Sequence, residues 1–171
     1  MARRNKSLLA GRYIESDLRV LYRDVQAPGS HETITRRFWT ALFEKELPDR
    51  HLHVVAEQAP NHGRQRVDAM AYRVQGDTVV PKLYVEFKRS GRRYRSLAGR
   101  GEQQVTDYCL QLLSNHPDRQ SMYAMLCYGT AAKVWTVKKG SRAAHGQTVF
   151  IDADNDVGSA LKQFFLMVTN L

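Results

Sequence analysis

Lys82-Leu83-Tyr84-Val85-Glu86-Phe87-Lys88 is the stretch on which the reading of this chain turns. On an extended strand, side chains two residues apart point the same way. Glu86 and Lys88 therefore share one face, and Val85 and Phe87 turn to the other. That places an acid and a base side by side at a strand end. Upstream lies a second strand-like run, Arg66 to Tyr72, which begins with Val67-Asp68. Gln75-Gly76-Asp77 offers a turn between the two runs, and so short a connection suits an antiparallel hairpin. Paired in this way, Asp68 falls near the end of the neighbouring strand where Glu86 stands. Two carboxylates and one ammonium then converge on one volume.

Periodicity assigns the elements around this hairpin. Ile14, Leu18, Leu21, Tyr22 and Val25 recur at helical spacing until Pro28-Gly29-Ser30 breaks the run. Ser30 is placed to cap a second helix, with Glu32 in its first turn and Ile34, Phe38, Leu42 and Phe43 along it to Leu47, before Pro48. His53 to Ala56 reads as a strand. Gly101 precedes a helix expected over 102–114, with Val105, Cys109, Leu112 and Leu113 as its buried stripe. Met122 to Tyr128 is nearly all apolar, as a strand buried on both faces is, whereas Lys133 to Lys138 alternates like a half-exposed neighbour. Thr148 to Ile151 is a further strand candidate. A last helix, capped near Asp154 to Asp156, carries Val157, Leu161, Phe164, Phe165, Val168 and Leu171 on a wide apolar face. The expected fold class is α/β, a mixed sheet with helices packed on it.

The 171 residues, 43% hydrophobic, suffice for one domain with a real core. No Pro- or Gly-rich linker divides them, so residues 13–171 are expected to form a single domain behind a basic tail, residues 1–12. No apolar run nears the roughly 18 residues of a membrane span, and Met1 to Lys6 is not followed by an apolar stretch of signal-peptide length. These features predict an intracellular protein, cytoplasmic or in the nucleoid or nucleus, with no membrane partner. Cys109 and Cys127 have neither zinc-ligand nor redox spacing and read as reduced core residues.

Charge is more telling. There are 26 Lys and Arg against 17 Asp and Glu, a net +9, and the first twelve residues, with four bases and no acid, account for only part of the excess. It peaks just after the acid-base strand, where Lys88, Arg89, Arg92, Arg93, Arg95 and Arg100 occur with Tyr94 interleaved and no acid. Such a cluster attracts phosphates through screened Coulomb forces and counterion release. A solvated loop kept soluble by charge is the blander alternative.

The chemistry follows from hard-ion preferences. Mg²⁺ or Mn²⁺ takes oxygen ligands in octahedral geometry, so Asp68, Glu86 and the backbone carbonyl of Phe87 are candidate metal ligands, leaving positions for water and a substrate phosphate. Such an ion lowers the pKa of a bound water and neutralises charge growing on a phosphorane-like transition state. Lys88, an ammonium whose pKa falls on partial desolvation, is a candidate to orient or help deprotonate that water. The triplet alone is weak, because a chain of this length contains about one acid-x-Lys by chance. Its bland alternative is a same-face ion pair worth about 0 to 1 kcal/mol.

These residues resemble the PD-(D/E)xK nuclease superfamily. Three features carry the resemblance: Asp68 with Glu86-Phe87-Lys88, where Val67 replaces the eponymous proline; Gln104-Val105-Thr106-Asp107-Tyr108, similar to the Gln-x-x-x-Tyr signature of RecB-like and lambda-exonuclease-like members; and Glu32-Thr33-Ile34-Thr35-Arg36, similar to the first nuclease-domain helix of type I restriction-enzyme R subunits. The match spans residues 31–138. It implies a restriction-endonuclease-like α-β-β-β-α-β core, Asp68 and Glu86 on metal, Lys88 as a catalytic residue, and Glu32 as a helix carboxylate completing the site. Gln104 and Tyr108, four apart on one helical face beside the buried stripe, are expected near the metal-bound water or a phosphate. Glu44 or Glu57 are alternatives to Glu32, whose plainer role is to meet a helix dipole.

His51 and His53 share a strand face but lack a third ligand, so a surface pair is the simpler account. No glycine-rich nucleotide cradle and no nucleophile elbow is found. The expected activity is a Mg-dependent nuclease, an endonuclease in the first instance, acting on DNA with RNA open. Arg89, Arg92, Arg93, Arg95 and Arg100 would grip backbone phosphates. The rivals are a nuclease-like module that binds nucleic acid without cutting and a basic protein-interaction subunit. A homodimer through the first or last helix is an alternative to each apolar face being covered by its own domain.

Overall fold

The computed structural model describes residues 15–47, 52–58, 67–89, 94–141, 145–146, 149–155 and 160–169. The tail and the expectations placed on Ile14, Pro48, Arg66, Thr148, Val157 and Leu171 lie outside the described residues. Two helices, α1 (Glu15–Gln26) and α2 (Glu32–Glu46), precede three strands, β1 (Leu52–Gln58), β2 (Val67–Gln75) and β3 (Thr78–Lys88). Then come α3 (Tyr94–Asn115), β4 (Ser121–Tyr128), β5 (Ala131–Lys138), the short β6 (His145–Gly146) and β7 (Ile151–Asp152), and α4 (Ala160–Thr169). One mixed sheet runs in the order β1-β2-β3-β4-β5-β6, with β7 also paired to β5. All pairings are antiparallel except β3 with β4. That parallel pair needs a crossover, and α3 supplies it.

Both faces of the sheet are covered. On one, Leu18, Phe38, Trp39, Leu42, Phe43, Leu161 and Phe165 of α1, α2 and α4 pack on Leu83, Val85, Phe87, Met125 and Cys127. On the other, Val105, Tyr108, Cys109, Leu112 and Leu113 of α3 cover Tyr84, Ala124, Leu126, Trp135 and Val137. Opposite parities of β3 thus feed opposite cores, as alternation requires. β4 is buried on both faces, as its composition predicts. β5 is more buried than expected: Ala132 and Val134 face one core, Trp135 and Val137 the other, Ala131, Lys133 and Thr136 are at intermediate exposure and Lys138 is exposed. Alternation of polarity misleads here because Lys133 is paired on its inward face, to Glu102 of α3 at 2.6 Å.

Several boundaries depart from expectation: β2 runs on to Gln75, and of the described residues in the strand expected over Thr148 to Ile151 only Ile151 is in one, β7. Three other departures have identifiable reasons. β3 begins before Pro81: the pairs Ala71↔Leu83 and Tyr72↔Pro81 bracket a bulge that leaves Lys82 as the extra residue, next to a proline that lacks an amide hydrogen. The cap of α2 is His31, with no side-chain cap bond. Ser30 is drawn back into the preceding turn, its amide donating to Ala27 O at 3.1 Å, and its buried hydroxyl lacks a hydrogen-bond partner. Most consequentially, α3 starts at Tyr94, so the stretch expected to be a basic loop up to Arg100 is largely helical. Gly99 and Gly101 read as breakers, yet each costs a helix interior only about 1 kcal/mol.

Gly101 also has a positive reason to be there. A Cβ built on it would meet Leu126 Cδ1 at 2.9 Å, so its bare backbone lets α3 sit directly on β4. Gly101→Val should destabilise the fold by about 2 kcal/mol in chemical denaturation, and adding Leu126→Ala should recover part of that loss. Full additivity of the two changes would contradict this contact.

Candidate active site

The residues singled out in the hairpin gather at the C-terminal end of β3. Ala69 pairs with Val85, so the antiparallel ladder carries Asp68 to the level of Glu86 and Phe87. Phe87 N donates to Asp68 Oδ2 at 2.7 Å. In a strand the amide and carbonyl of one residue point to the same side, so the Phe87 carbonyl is also directed toward β2. The Lys88 carbonyl points the other way and accepts from Gly129 N at 3.2 Å. Gly129 O in turn accepts from the buried indole of Trp39 at 2.8 Å. α2, the β4–β5 turn and the end of β3 are locked together by this pair of bonds.

Glu86 is only 2% exposed. One of its oxygens accepts from Lys88 Nζ, and the other, Oε2, is buried without a hydrogen-bond partner. Burial pushes its pKa up to about 7; the Lys88 hydrogen bond opposes that, while the charges of Asp68 and Glu32 add to it. Burial by itself would lower Lys88, but the hydrogen bond and charge of Glu86, with Asp68 and Glu32, outweigh it and hold the ammonium above its ordinary pKa. This corrects the expectation of a depressed lysine. Three acids surround it, so desolvation does not win.

Glu32 sits half-buried at the start of α2, where its charge acts on both Glu86 and Lys88. Glu44, three turns further along α2, is exposed, and the side chain of Glu57 lies outside the described residues. Of the two alternatives whose side chains are described, Glu32 and not Glu44 is the one whose charge acts on the cluster. Arg36 was missed: one turn beyond Glu32 on the same helical face, it pairs with Asp68 Oδ1 at 3.6 Å. The signal that finds it is the i, i+4 spacing from Glu32. Among the described residues no three His, Cys, Asp or Glu side chains group closely enough to hold a metal ion. The donor set still suits a hard cation that keeps most of its waters: two carboxylates, one backbone carbonyl, and one buried carboxylate oxygen lacking a donor.

Other expected residues are placed differently. Tyr108 is buried within the core under α3, not beside it, and accepts a hydrogen bond from Gln104 Nε2 at 3.1 Å. Among the described residues neither hydrogen-bonds Asp68, Glu86 or Lys88. Arg89 is exposed directly after β3, and Arg100 is exposed on α3 beside Gly101, whose contact Leu126 is the ladder partner of Glu86. Arg92, Arg93 and the side chain of Arg95 lie outside the described residues, as does His51. His53 is exposed, its ring 5.3 Å from that of Tyr72. Both cysteines are buried and free, and burial raises both thiols. Tyr128, the β4 partner of Lys88, is buried nearby; the charges of Lys88, Glu102 and Glu86 all reach its hydroxyl. No helix among the described residues is long and apolar enough to cross a membrane.

No family model matches the chain, and comparison with curated proteins and with solved structures likewise gives no match.

The buried carboxyl makes a pH prediction. The folded pKa of Glu86 lies above its unfolded value, so the folded state binds more protons between about pH 4.5 and 7, and this group's contribution to stability is lost as pH rises through that window. Between pH 5 and pH 8 the parent chain should lose on the order of 2 kcal/mol more stability than Glu86→Gln in parallel urea titrations. Equal pH slopes would show that Glu86 is not desolvated.

Proposed function

We propose that this chain is a metal-dependent nuclease of the PD-(D/E)xK kind, hydrolysing phosphodiester bonds in DNA. The observation that carries the reading is the buried, partnerless Oε2 of Glu86 beside Asp68 and Lys88. A desolvated carboxylate oxygen is costly unless a donor or cation meets it, and the Lys88 ammonium already serves the other oxygen. The order α2, β1 to β3, α3, β4 is the one the resemblance implies, which supports a restriction-endonuclease-like fold.

On this reading Asp68, Glu86 and the Phe87 carbonyl would hold Mg²⁺ or Mn²⁺, with Glu32 completing the acidic surround. When bound, the ion supplies a water of lowered pKa and positive charge beside the phosphorus. Lys88, kept cationic by its acidic neighbours, orients the attacking water and donates to the phosphate oxygen on which charge grows. Arg36 pairs with Asp68 and can meet a substrate phosphate. Arg89 and Arg100, with Arg92, Arg93 and Arg95 near them in sequence, grip the backbone without reading bases. Gln104 and Tyr108 stiffen the helix that carries Arg100. Self-association through α1 or α4 has exposed Val20, Leu166 and Met167 to draw on.

A second reading has its own support. Arg36 and the Phe87 amide already engage the two oxygens of Asp68, which a module that binds nucleic acid without cutting would tolerate.

Incubating labelled linear, circular and single-stranded DNA, and RNA, with Mg²⁺ or Mn²⁺ and again with chelator separates the two. Chelator-sensitive DNA cleavage is expected. Glu86→Gln and Lys88→Ala should each reduce it at least about 100-fold, while Lys88→Ala keeps metal binding by calorimetry. Salt-sensitive DNA binding with no chelator-sensitive cut selects the non-cutting module instead.

A further inference from the structure

At the end of the sheet opposite the carboxylates lies a cavity of about 540 Å³. Its walls are the tip of the β2–β3 hairpin, the connection from α3 to β4, and the start of β4. From Pro81 to Lys88 the strand spans about 20 Å or more, so the cavity shares no residue with the acid cluster.

Its lining is cationic. Lys82 and Arg119 both line it, and His116 is part of the same wall. Arg119 is held in place by donating from Nη1 to Pro81 O at 2.7 Å. Asp118 is the one acid in the lining, and it is exposed at the rim. Arg73, across the hairpin from Val80, adds a third positive charge close enough to act on Lys82. Burial lowers the Lys82 pKa, and the charges of Arg119 and Arg73 push it the same way. Like charges gathered in a recess raise the local positive potential and favour an anion there.

The shape restricts which anion. A nucleic-acid strand is tracked by an open basic stripe. A recess of a few hundred cubic ångströms, walled by the Pro81 and Tyr123 segments, instead suits a small molecule. We propose that this cavity is a second site, binding a phosphate monoester of mononucleotide size, with Lys82 and Arg119 on the phosphate. It rests on no part of the nuclease reading.

The test is calorimetric titration of the full chain with AMP at low salt, beside adenosine and inorganic phosphate. AMP should bind saturably, adenosine should not, and phosphate should bind more weakly than AMP. Lys82→Gln should weaken AMP at least tenfold, and Lys82→Arg should restore most of the affinity. Glu86→Gln, at the far end, should leave AMP binding unchanged, so the two sites fail or stand separately. Thermal denaturation of each variant confirms that it folds. No saturable AMP binding at millimolar concentration, or unchanged affinity in Lys82→Gln, overturns the site. Equal affinity for AMP and inorganic phosphate overturns its assignment to a nucleotide-sized ester.

Discussion

A carboxylate taken almost wholly out of water is the constraint around which one end of this molecule is organised. Glu86 can be so desolvated only because Lys88, two residues on, is delivered by strand alternation to the same face. Even with that partner, burial wins and the proton is held up to about pH 7. The surrounding acids act in opposite senses on the two groups: Asp68 and Glu32 make it harder to ionise Glu86 and easier to keep Lys88 charged. An added cation would relieve the first, and Lys88 would then share the same carboxylates with it. That asymmetry favours a metal-assisted reading over a plain ion pair, because a surface pair would leave neither carboxylate oxygen buried and alone.

Topology puts this chemistry where it can be reached. In open sheets with parallel neighbours, ligands meet the carboxyl ends of the strands, and Glu86 and Lys88 end β3 beside its parallel neighbour β4. The backbone there is clamped from above, since Trp39 reaches from α2 to Gly129 and Gly129 reaches back to Lys88. The clamp ties the helix that brings Glu32 and Arg36 to the strand that brings Glu86. The other end of the same strands carries the basic recess around Lys82 and Arg119, so the sheet separates an acidic site from a cationic one by the length of β3.

Around Asp152, by contrast, the polar groups find partners within the fold. Asp152 collects the Tyr22 hydroxyl at 2.8 Å, the Thr130 hydroxyl at 2.5 Å and the Asp154 amide at 2.9 Å, which anchors α1 to the last strands. Burial of Tyr22, with the hydrogen bond to Asp152 and its negative charge, pushes that phenol up to about 12. Each oxygen of Asp152 is hydrogen-bonded within the fold. Glu86 Oε2 differs from them in that respect.

Local patterning determined a good part of this. Period-2 and period-3.6 signals located each of the four helices and the five longer strands, and the short turn at Gly76, with φ of 59°, made β2 and β3 a hairpin. Alternation along 82–88 placed Glu86 and Lys88 together without any tertiary information. The boundaries of β3 and α3 were not legible, because Pro81 and Gly101 are tolerated only through a bulge and a close contact with Leu126 that lie across the sheet. Nor was the pairing of Lys133 with Glu102 or of Arg36 with Asp68, each made between elements far apart in the chain. Above all, residue types say which groups can ionise. Only the packed structure decides how much water each one loses and which charges gather round it: desolvation set Glu86 apart, and the acids around Lys88 reversed the shift expected there.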